Sequence, residues 1–122
     1  MTTNSKYEHL FSGYYILDGH NPVKCDDMKI WSAQDRKIKK NYFGEVEVST
    51  VFLGISHGQE RGLPILFETL VFGGEHDGYM LRYTDYEEAL KGHDEVCYMV
   101  NKVAIDRENK LNELGLKWAI IF

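Results

Sequence analysis

The sequence predicts an α+β domain, with an antiparallel sheet of about four to five strands and helices packed on one face. Apolar and polar residues alternate from Arg36 to Phe52, which is the period of a half-buried strand. Apolar residues recur at helical spacing from Tyr86 to Val100. Short glycine-containing turns separate the strand-like runs, which favours antiparallel pairing. The predicted order is β-α-β-β-β-β-α plus a C-terminal tail, in a single domain of 122 residues.

The first predicted elements follow residues 1–12, a polar segment that we expect to be flexible. Residues 14–17 predict a short strand, and the DGHNP sequence after it is typical of a turn. Asp26 or Asp27 then caps a short helix with Met28 and Trp31 on one face.

The middle of the chain predicts the main sheet. Ile38, Lys40 and Tyr42 are expected on one side of a strand that turns near residues 41–44. The strand that follows this turn becomes apolar on both faces at its end, which indicates that it is a central strand of the sheet. Residues 57–62 are predicted as a loop and residues 65–72 as a central strand. Residues 73–78 are predicted as a turn, and residues 79–83 as the strand that follows it.

The C-terminal part predicts a helix and an apolar tail. Thr84 and Glu87 have the spacing of a capping box, and the helix is expected to run to about Asn101. A shorter helix is predicted over residues 105–114. The tail, residues 103–122, ends in LKWAIIF, which we expect to be buried against this subunit or a neighbouring one.

Composition and charge limit the possible functions. The net charge of −5 argues against an overall basic surface for duplex DNA or RNA. The basic cluster at residues 36–40 is interpreted as the solvated side of a strand. The N-terminus lacks the pattern of a signal peptide, and no apolar run is long enough to span a membrane. We therefore expect a cytoplasmic protein in which Cys25 and Cys97 are reduced.

Catalytic and metal-binding patterns are weak. The histidines and cysteines lack the spacing of metal ligands, and no nucleophile elbow is present, so we predict no cofactor, no metal and no enzymatic activity. Glu68 interrupts an apolar strand and is an acid/base candidate together with His20 or His57. The alternative is that it forms an ion pair with Arg82 or Arg61. His93 lies on the apolar helix stripe and is interpreted as a satisfied core histidine.

Binding is the better supported interpretation. Glycine-rich loops allow close backbone approach to an anion, and Arg61 and Arg82 are candidates for bidentate phosphate contacts. Tyr83 and Phe52 are candidates for stacking on bases. The remaining recognition candidates are polar: Thr50, Thr69 and His57. The competing interpretation for any one of these residues is a hairpin turn or a core side chain.

Three segments carry a resemblance to a known group of proteins: YYILDGHNPVKCDD, EVEVSTVFLGISH and PILFETLVFGGEHDGYMLRYTDYEEALKGH. In this order they resemble a widespread group of short proteins encoded by tailed bacteriophages, over about residues 14–100. The chain is also similar, on this basis, to phage anti-CBASS proteins, which act as sponges for cyclic dinucleotide immune signals. The resemblance implies a homo-oligomer in the host cytoplasm that binds a ligand such as cyclic GMP-AMP without cleaving it.

Two other functions remain open at this point. The first is inhibition of a host factor by protein–protein contact, without a small ligand. The second is a small enzyme that uses Glu68 with His20 or His57.

Overall fold

The computed structural model describes residues 13–115, and at residues 103 and 104 it describes the backbone alone. The expectations for residues 1–12 and for LKWAIIF lie outside this part of the chain. The α+β class is confirmed: an antiparallel four-stranded sheet, two small hairpins and a long helix. The elements are β1 Tyr15–Asp18, β2 Asn21–Lys24, α1 Met28–Ala33, β3 Lys37–Phe43, β4 Val46–Phe52, β5 Gln59–Glu60, β6 Leu63–Pro64, β7 Phe67–Phe72, β8 Met80–Tyr83 and α2 Tyr86–Glu113.

The main sheet has the order β3-β4-β7-β8. Thr50 pairs with Thr69 and Phe52 with Phe67 across the two central strands. Because side chains alternate along a strand, every second residue lies on the same face of the sheet. Helix α2 packs against one face, which we call the covered face. The other, the open face, carries Lys37, Lys40, Tyr42, Glu47, Ser49, Val51, Glu68, Leu70, Phe72, Met80 and Arg82.

The hydrophobic core lies between the covered face and α2. Phe52 and Phe67 are buried at one end of the sheet with Ala89 of the helix. Val48 and Val71 are buried at the other end against the valines of α2. Burial of each such aromatic or branched side chain contributes about 1.5–3 kcal/mol, so this layer fixes the helix on the sheet.

The structure corrects two helix predictions. Asp85, not Thr84, is the N-cap of α2, because its carboxylate accepts a hydrogen bond from the backbone N–H of Glu88. Asp and Thr are both good N-caps, and the sequence alone gives no reason to choose the later one. The two predicted C-terminal helices form one helix that ends at Glu113, so the predicted tail, residues 103–122, begins inside α2.

The strands also differ in detail. A register shift between Lys37 and Lys39 turns Ile38 towards the core, away from the side shared by Lys40 and Tyr42. Residues 59–62, part of the predicted loop 57–62, belong instead to a two-stranded hairpin that extends to Pro64. Its turn has Arg61 at φ 52° and Gly62 at φ 77°, the positive values of a type I′ turn.

The N-terminal hairpin is attached to the end of β4 at Gly54. The carbonyl of Gly54 accepts hydrogen bonds from the backbone N–H of Tyr15 and from Nε1 of Trp31, both at 2.8 Å. The hairpin includes β2, where the sequence predicted only the end of a turn. Asp27 caps α1 by accepting from the N–H groups of Lys29 and Ile30, which confirms one of the two predicted caps.

The basic cluster lies on β3, an edge strand of the main sheet. Lys39 forms an ion pair with Asp94 at 2.9 Å, and Lys40 lies 3.8 Å from Glu47. Lysines on an edge discourage pairing with a strand of another molecule. Within residues 13–115, no helix has the length and hydropathy needed to cross a membrane, and no cluster of metal-ligating side chains is found.

Candidate functional site

The covered face contains a chain of hydrogen bonds through buried polar side chains. Tyr83 Oη donates to Thr69 Oγ1 at 3.0 Å, and the Thr69 and Thr50 hydroxyl oxygens are 2.5 Å apart. Thr50 Oγ1 is 2.6 Å from His93 Nδ1. On the other side of the imidazole, Nε2 is 2.7 Å from Asn41 Oδ1. The chain therefore links all four strands of the main sheet to helix α2.

One arrangement of protons satisfies every group in this chain. The Asn41 oxygen can only accept, so Nε2 of His93 carries the proton and Nδ1 accepts from Thr50. Thr69 then donates to Thr50, and Tyr83 donates to Thr69. The arrangement requires a neutral imidazole, and each member holds the next in its rotamer.

Burial supports the same protonation state. It lowers the pKa of His93 from 6.5, and the nearby Lys39 ammonium lowers it further against a smaller opposing effect of Asp94. Burial also raises the pKa of the Tyr83 hydroxyl. Both groups are neutral near pH 7, as the hydrogen-bond chain requires.

The sequence-predicted recognition residues Thr50, Thr69, Tyr83 and Phe52 all lie in this core. Thr69 is 0% exposed and Phe52 is 1% exposed. Any ligand that touched these side chains would have to enter the space between sheet and helix. Their placement agrees with the competing interpretation for such residues, and the interpretation of His93 as a satisfied core histidine is confirmed.

Gly92 belongs to the same core. A Cβ atom built on this residue would overlap the hydroxyl and ring of Tyr83, so the absence of a side chain lets Tyr83 lie against α2. A glycine costs about 1 kcal/mol in a helix interior, which the packing of Tyr83 offsets. The consecutive residues Gly92 and His93 thus both allow α2 to pack against the covered face. The sequence signal for this role was their position on a helix beside an apolar stripe.

The predicted arginines reach the surface, but each has a carboxylate partner. Arg61 Nη2 lies 3.3 Å from Glu88 Oε1, next to the N-terminus of α2. Arg82 Nε lies 3.1 Å from Glu68 Oε2 on the open face. His57 is exposed in the loop before β5. The structure therefore does not bring Arg61, Arg82 and His57 together into one pocket with the buried candidates.

The acid/base candidates are separated as well. Glu68 forms its ion pair with Arg82 on the open face, which confirms one of the predicted alternatives. His20 stacks on Tyr86 at 3.8 Å between ring centroids and lies 2.8 Å from Glu87. Both of these partners belong to α2, so Glu68 and His20 are on opposite sides of the sheet.

Two exposed aromatic rings that the sequence analysis did not choose as binding residues lie on the open face. Tyr42 is 64% exposed and Phe72 is 46% exposed, on strands that flank β4. Both residues pair in register with Glu47 of β4, Tyr42 from one side and Phe72 from the other. The hydrogen bond from Tyr42 to Glu47 raises the pKa of the phenol. No described element packs on this face.

The charge of the open face differs from that of the whole chain. Lys37, Lys40 and Arg82 stand against Glu47 and Glu68, which gives 3 − 2 = +1, whereas the chain carries −5. One cross-strand row of this face contains Lys40, Ser49, Leu70 and Met80, of which Leu70 and Met80 are apolar neighbours. Aromatic rings, this apolar pair and basic side chains make the open face the candidate binding surface of the described domain.

Comparison with protein-family models, curated proteins and solved structures finds no match to this chain.

Proposed function

We propose that this protein binds and sequesters a cyclic dinucleotide, such as cyclic GMP-AMP, without cleaving it, and that the ligand binds on the open face. The proposal depends on one observation: exposed rings and a net positive charge occur together on the open face, on which no element of residues 13–115 packs, although the whole chain is acidic. The resemblance to phage proteins supports a role in evasion of host immunity, in the host cytoplasm.

The chemistry of the face fits such a ligand. Tyr42 and Phe72 offer rings on which bases can stack, and one such contact contributes about 1–3 kcal/mol. Arg82 uses Nε towards Glu68, and its guanidinium has four further N–H donors for a phosphate. Lys40 adds a second positive charge on the same face. The chain of buried hydrogen bonds on the covered face makes the sheet behind the open face rigid.

The open face is a sheet surface, so one molecule covers only one side of a flat ligand. A second copy on the other side would remove both bases and phosphates from water. The proposed function therefore includes a homo-oligomer that encloses the ligand between two open faces, which also strengthens every charge interaction inside.

The proposal is tested by calorimetric titration of the purified protein with a panel of cyclic dinucleotides, followed by heat release and analysis of the bound nucleotide. We expect intact nucleotide to be recovered. Arg82→Gln should weaken binding about tenfold or more, because it removes a charge-assisted contact to phosphate. The matched control is Lys91→Gln, which removes the same charge from an exposed position on α2.

Three results would argue against the proposal. Absence of binding to every nucleotide in the panel would exclude this ligand class. Recovery of a cleaved product would identify an enzyme. Equal affinity of Arg82→Gln and Lys91→Gln would remove the open face as the phosphate site.

A protein partner on the same face is the second candidate. It is favoured by the pairing of Arg82 with Glu68 and of Lys40 with Glu47, because a charge-balanced rim around Leu70 and Met80 is typical of protein interfaces. A photo-crosslinking amino acid at position 72 should then capture one defined protein in producing cells. The same group at position 98, an exposed site on α2, should not.

A further inference from the structure

The two edge strands of the main sheet differ in how they treat a possible further strand. β3 carries three lysines and a register shift between Lys37 and Lys39, and both features oppose pairing with a strand of another molecule. β8, at the other edge, has the sequence MLRY and pairs with β7 in a regular register, without a lysine or a bulge. Among the described strands β7 is its only neighbour. The β8 edge is therefore the one to which a strand can be added.

The free backbone groups of this edge belong to Met80 and Arg82. The carbonyl oxygen of Tyr79 points towards β7, where it accepts a hydrogen bond from the backbone N–H of Val71 at 3.0 Å. In an antiparallel ladder the N–H and C=O of one residue point to the same side, and the side alternates from one residue to the next. The N–H and C=O of Met80 and of Arg82 therefore point away from β7, towards the outer edge.

A second β8 strand in antiparallel orientation matches these groups one for one. When Met80 of each copy lies opposite Arg82 of the other, each of the two residue pairs exchanges two backbone hydrogen bonds. Leu81 then lies opposite Leu81 of the other copy, on the two-fold axis. Both copies use the same surface in this arrangement, so the assembly closes as a dimer and cannot extend into a filament.

The side chains favour the same register. On the open face Arg82 lies beside Met80 of the other copy, so the two arginines are staggered and not directly opposed. On the covered face Tyr83 of one copy lies opposite Tyr79 of the other, and cross-strand aromatic pairs stabilise antiparallel strands. Pairing also covers Tyr79 and Met80, which are 39% and 43% exposed in the single chain. A contact between β8 and β3 of another copy would instead bring Arg82 next to the lysines of that strand.

We propose that β8 is a homodimer interface, at which the β8 strands of two copies pair antiparallel about Leu81 and join two four-stranded sheets into one continuous sheet. The partner is a second copy of this chain, because the same four residues supply both sides of the register and the positive charge of β3 opposes the alternative edge. The contact lies at the edge of the sheet and leaves both open faces uncovered, so the inference does not rest on the proposed function.

Amide hydrogen exchange of the natural sequence, followed by NMR without nucleotide, tests the register. The amides of Met80 and Arg82 should exchange freely in dilute protein. At concentrations at which sedimentation shows a dimer, both should exchange about tenfold more slowly or less. The Leu81 amide is the internal control, because it points towards β7 and should be protected at both concentrations.

A matched pair of substitutions tests the backbone contribution. Met80→Pro removes an N–H that points outwards, at the first residue of an edge strand, where proline is tolerated. By symmetry it removes two hydrogen bonds from the dimer and should weaken dimerisation about tenfold or more in sedimentation equilibrium. Met80→Leu keeps the N–H and an apolar side chain, and its effect should be much smaller. Circular dichroism checks that both variants are folded.

Four outcomes would overturn the inference. A protein that stays monomeric up to about 1 mM would exclude the interface. Free exchange of the Met80 and Arg82 amides in a dimer would place the contact on another surface. Slow exchange of both amides in the monomer would show that another part of the same chain pairs with this edge. Dimers of equal stability for Met80→Pro and Met80→Leu would exclude the proposed register.

Discussion

The two faces of the four-stranded sheet use their polar residues in opposite ways. On the covered face, the hydroxyl protons of Thr50 and Thr69 and the ring proton of His93 are all used in hydrogen bonds within the protein, and the three side chains are buried. On the open face, Arg82 and Tyr42 keep access to solvent although each has a carboxylate partner. The difference shows that hydroxyls, rings and imidazoles on one side of a sheet can be buried and hydrogen-bonded within the protein, while side chains on the other side remain available for binding.

The largest expected effect is on the covered face. His93→Ala should lower the free energy of unfolding by about 3 kcal/mol or more, because it removes the acceptor of the Thr50 hydroxyl proton and the donor to Asn41 Oδ1, and it opens a cavity. Urea denaturation measures this loss. Tyr98→Ala is the control on the same helix, since Tyr98 is 71% exposed, and should change stability by less than about 0.5 kcal/mol. A cost below about 1 kcal/mol for His93→Ala would contradict the role of the hydrogen-bond chain.

Gly92→Ala should destabilise the protein by about 1–3 kcal/mol, although alanine is the better helix former. The reason is the overlap of the new methyl group with Tyr83. Combined with Tyr83→Leu, the same change should cost much less, and a double-mutant cycle in urea measures the coupling. If the effects of the two changes on stability were strictly additive, the Tyr83 ring would not be the reason that residue 92 must be glycine.

Stability should fall on acidification through His93. Its pKa in the folded state is below 6.5, so the unfolded state binds the proton first and the stability present above pH 6.5 is lost as the pH falls towards the folded pKa. The slope for one proton is at most about 1.4 kcal/mol per pH unit. Urea denaturation between about pH 7.5 and pH 5.5 should show a steeper dependence for the natural sequence than for His93→Gln. Identical slopes would mean that this histidine is not held neutral.

The smallest expected effect on folding is on the open face. Phe72→Ala should cost about 1 kcal/mol or less in stability, because the ring is 46% exposed. The same change should weaken cyclic dinucleotide binding by about 1–3 kcal/mol through the loss of stacking. Titration calorimetry and urea denaturation of one preparation give both numbers. A large loss of stability with unchanged affinity would reverse the assignment of the two faces.

Much of the fold could be predicted from local patterns. The alternation in β4, the turn residues and the helical spacing after Tyr86 all depend on neighbours in the chain, and these elements are present. The β-bulge at Ile38, the choice of Asp85 as N-cap and the β5–β6 hairpin were missed, since each depends on small differences between conformations that local sequence permits equally.

The candidate site was less predictable. Phe52 and Tyr83 were chosen as stacking rings, and Thr50 and Thr69 as polar contacts, but residue type does not reveal which face of a sheet a helix covers. Tyr42 and Phe72 were overlooked for the same reason. Arg82 was predicted as a phosphate contact, and the structure places it on the open face; its ion pair with Glu68 was among the predicted alternatives.

The sequence by itself determined the α+β class, the strands and the interpretation of His93 as a core residue, because periodicity and turn chemistry are local properties. Only the tertiary structure decided that α2 covers the face with the two threonines and leaves Tyr42 and Phe72 open. The physical reason is that Thr50, Thr69, His93 and Asn41 are far apart in sequence, and their hydrogen bonds exist only after the strands pair and the helix docks.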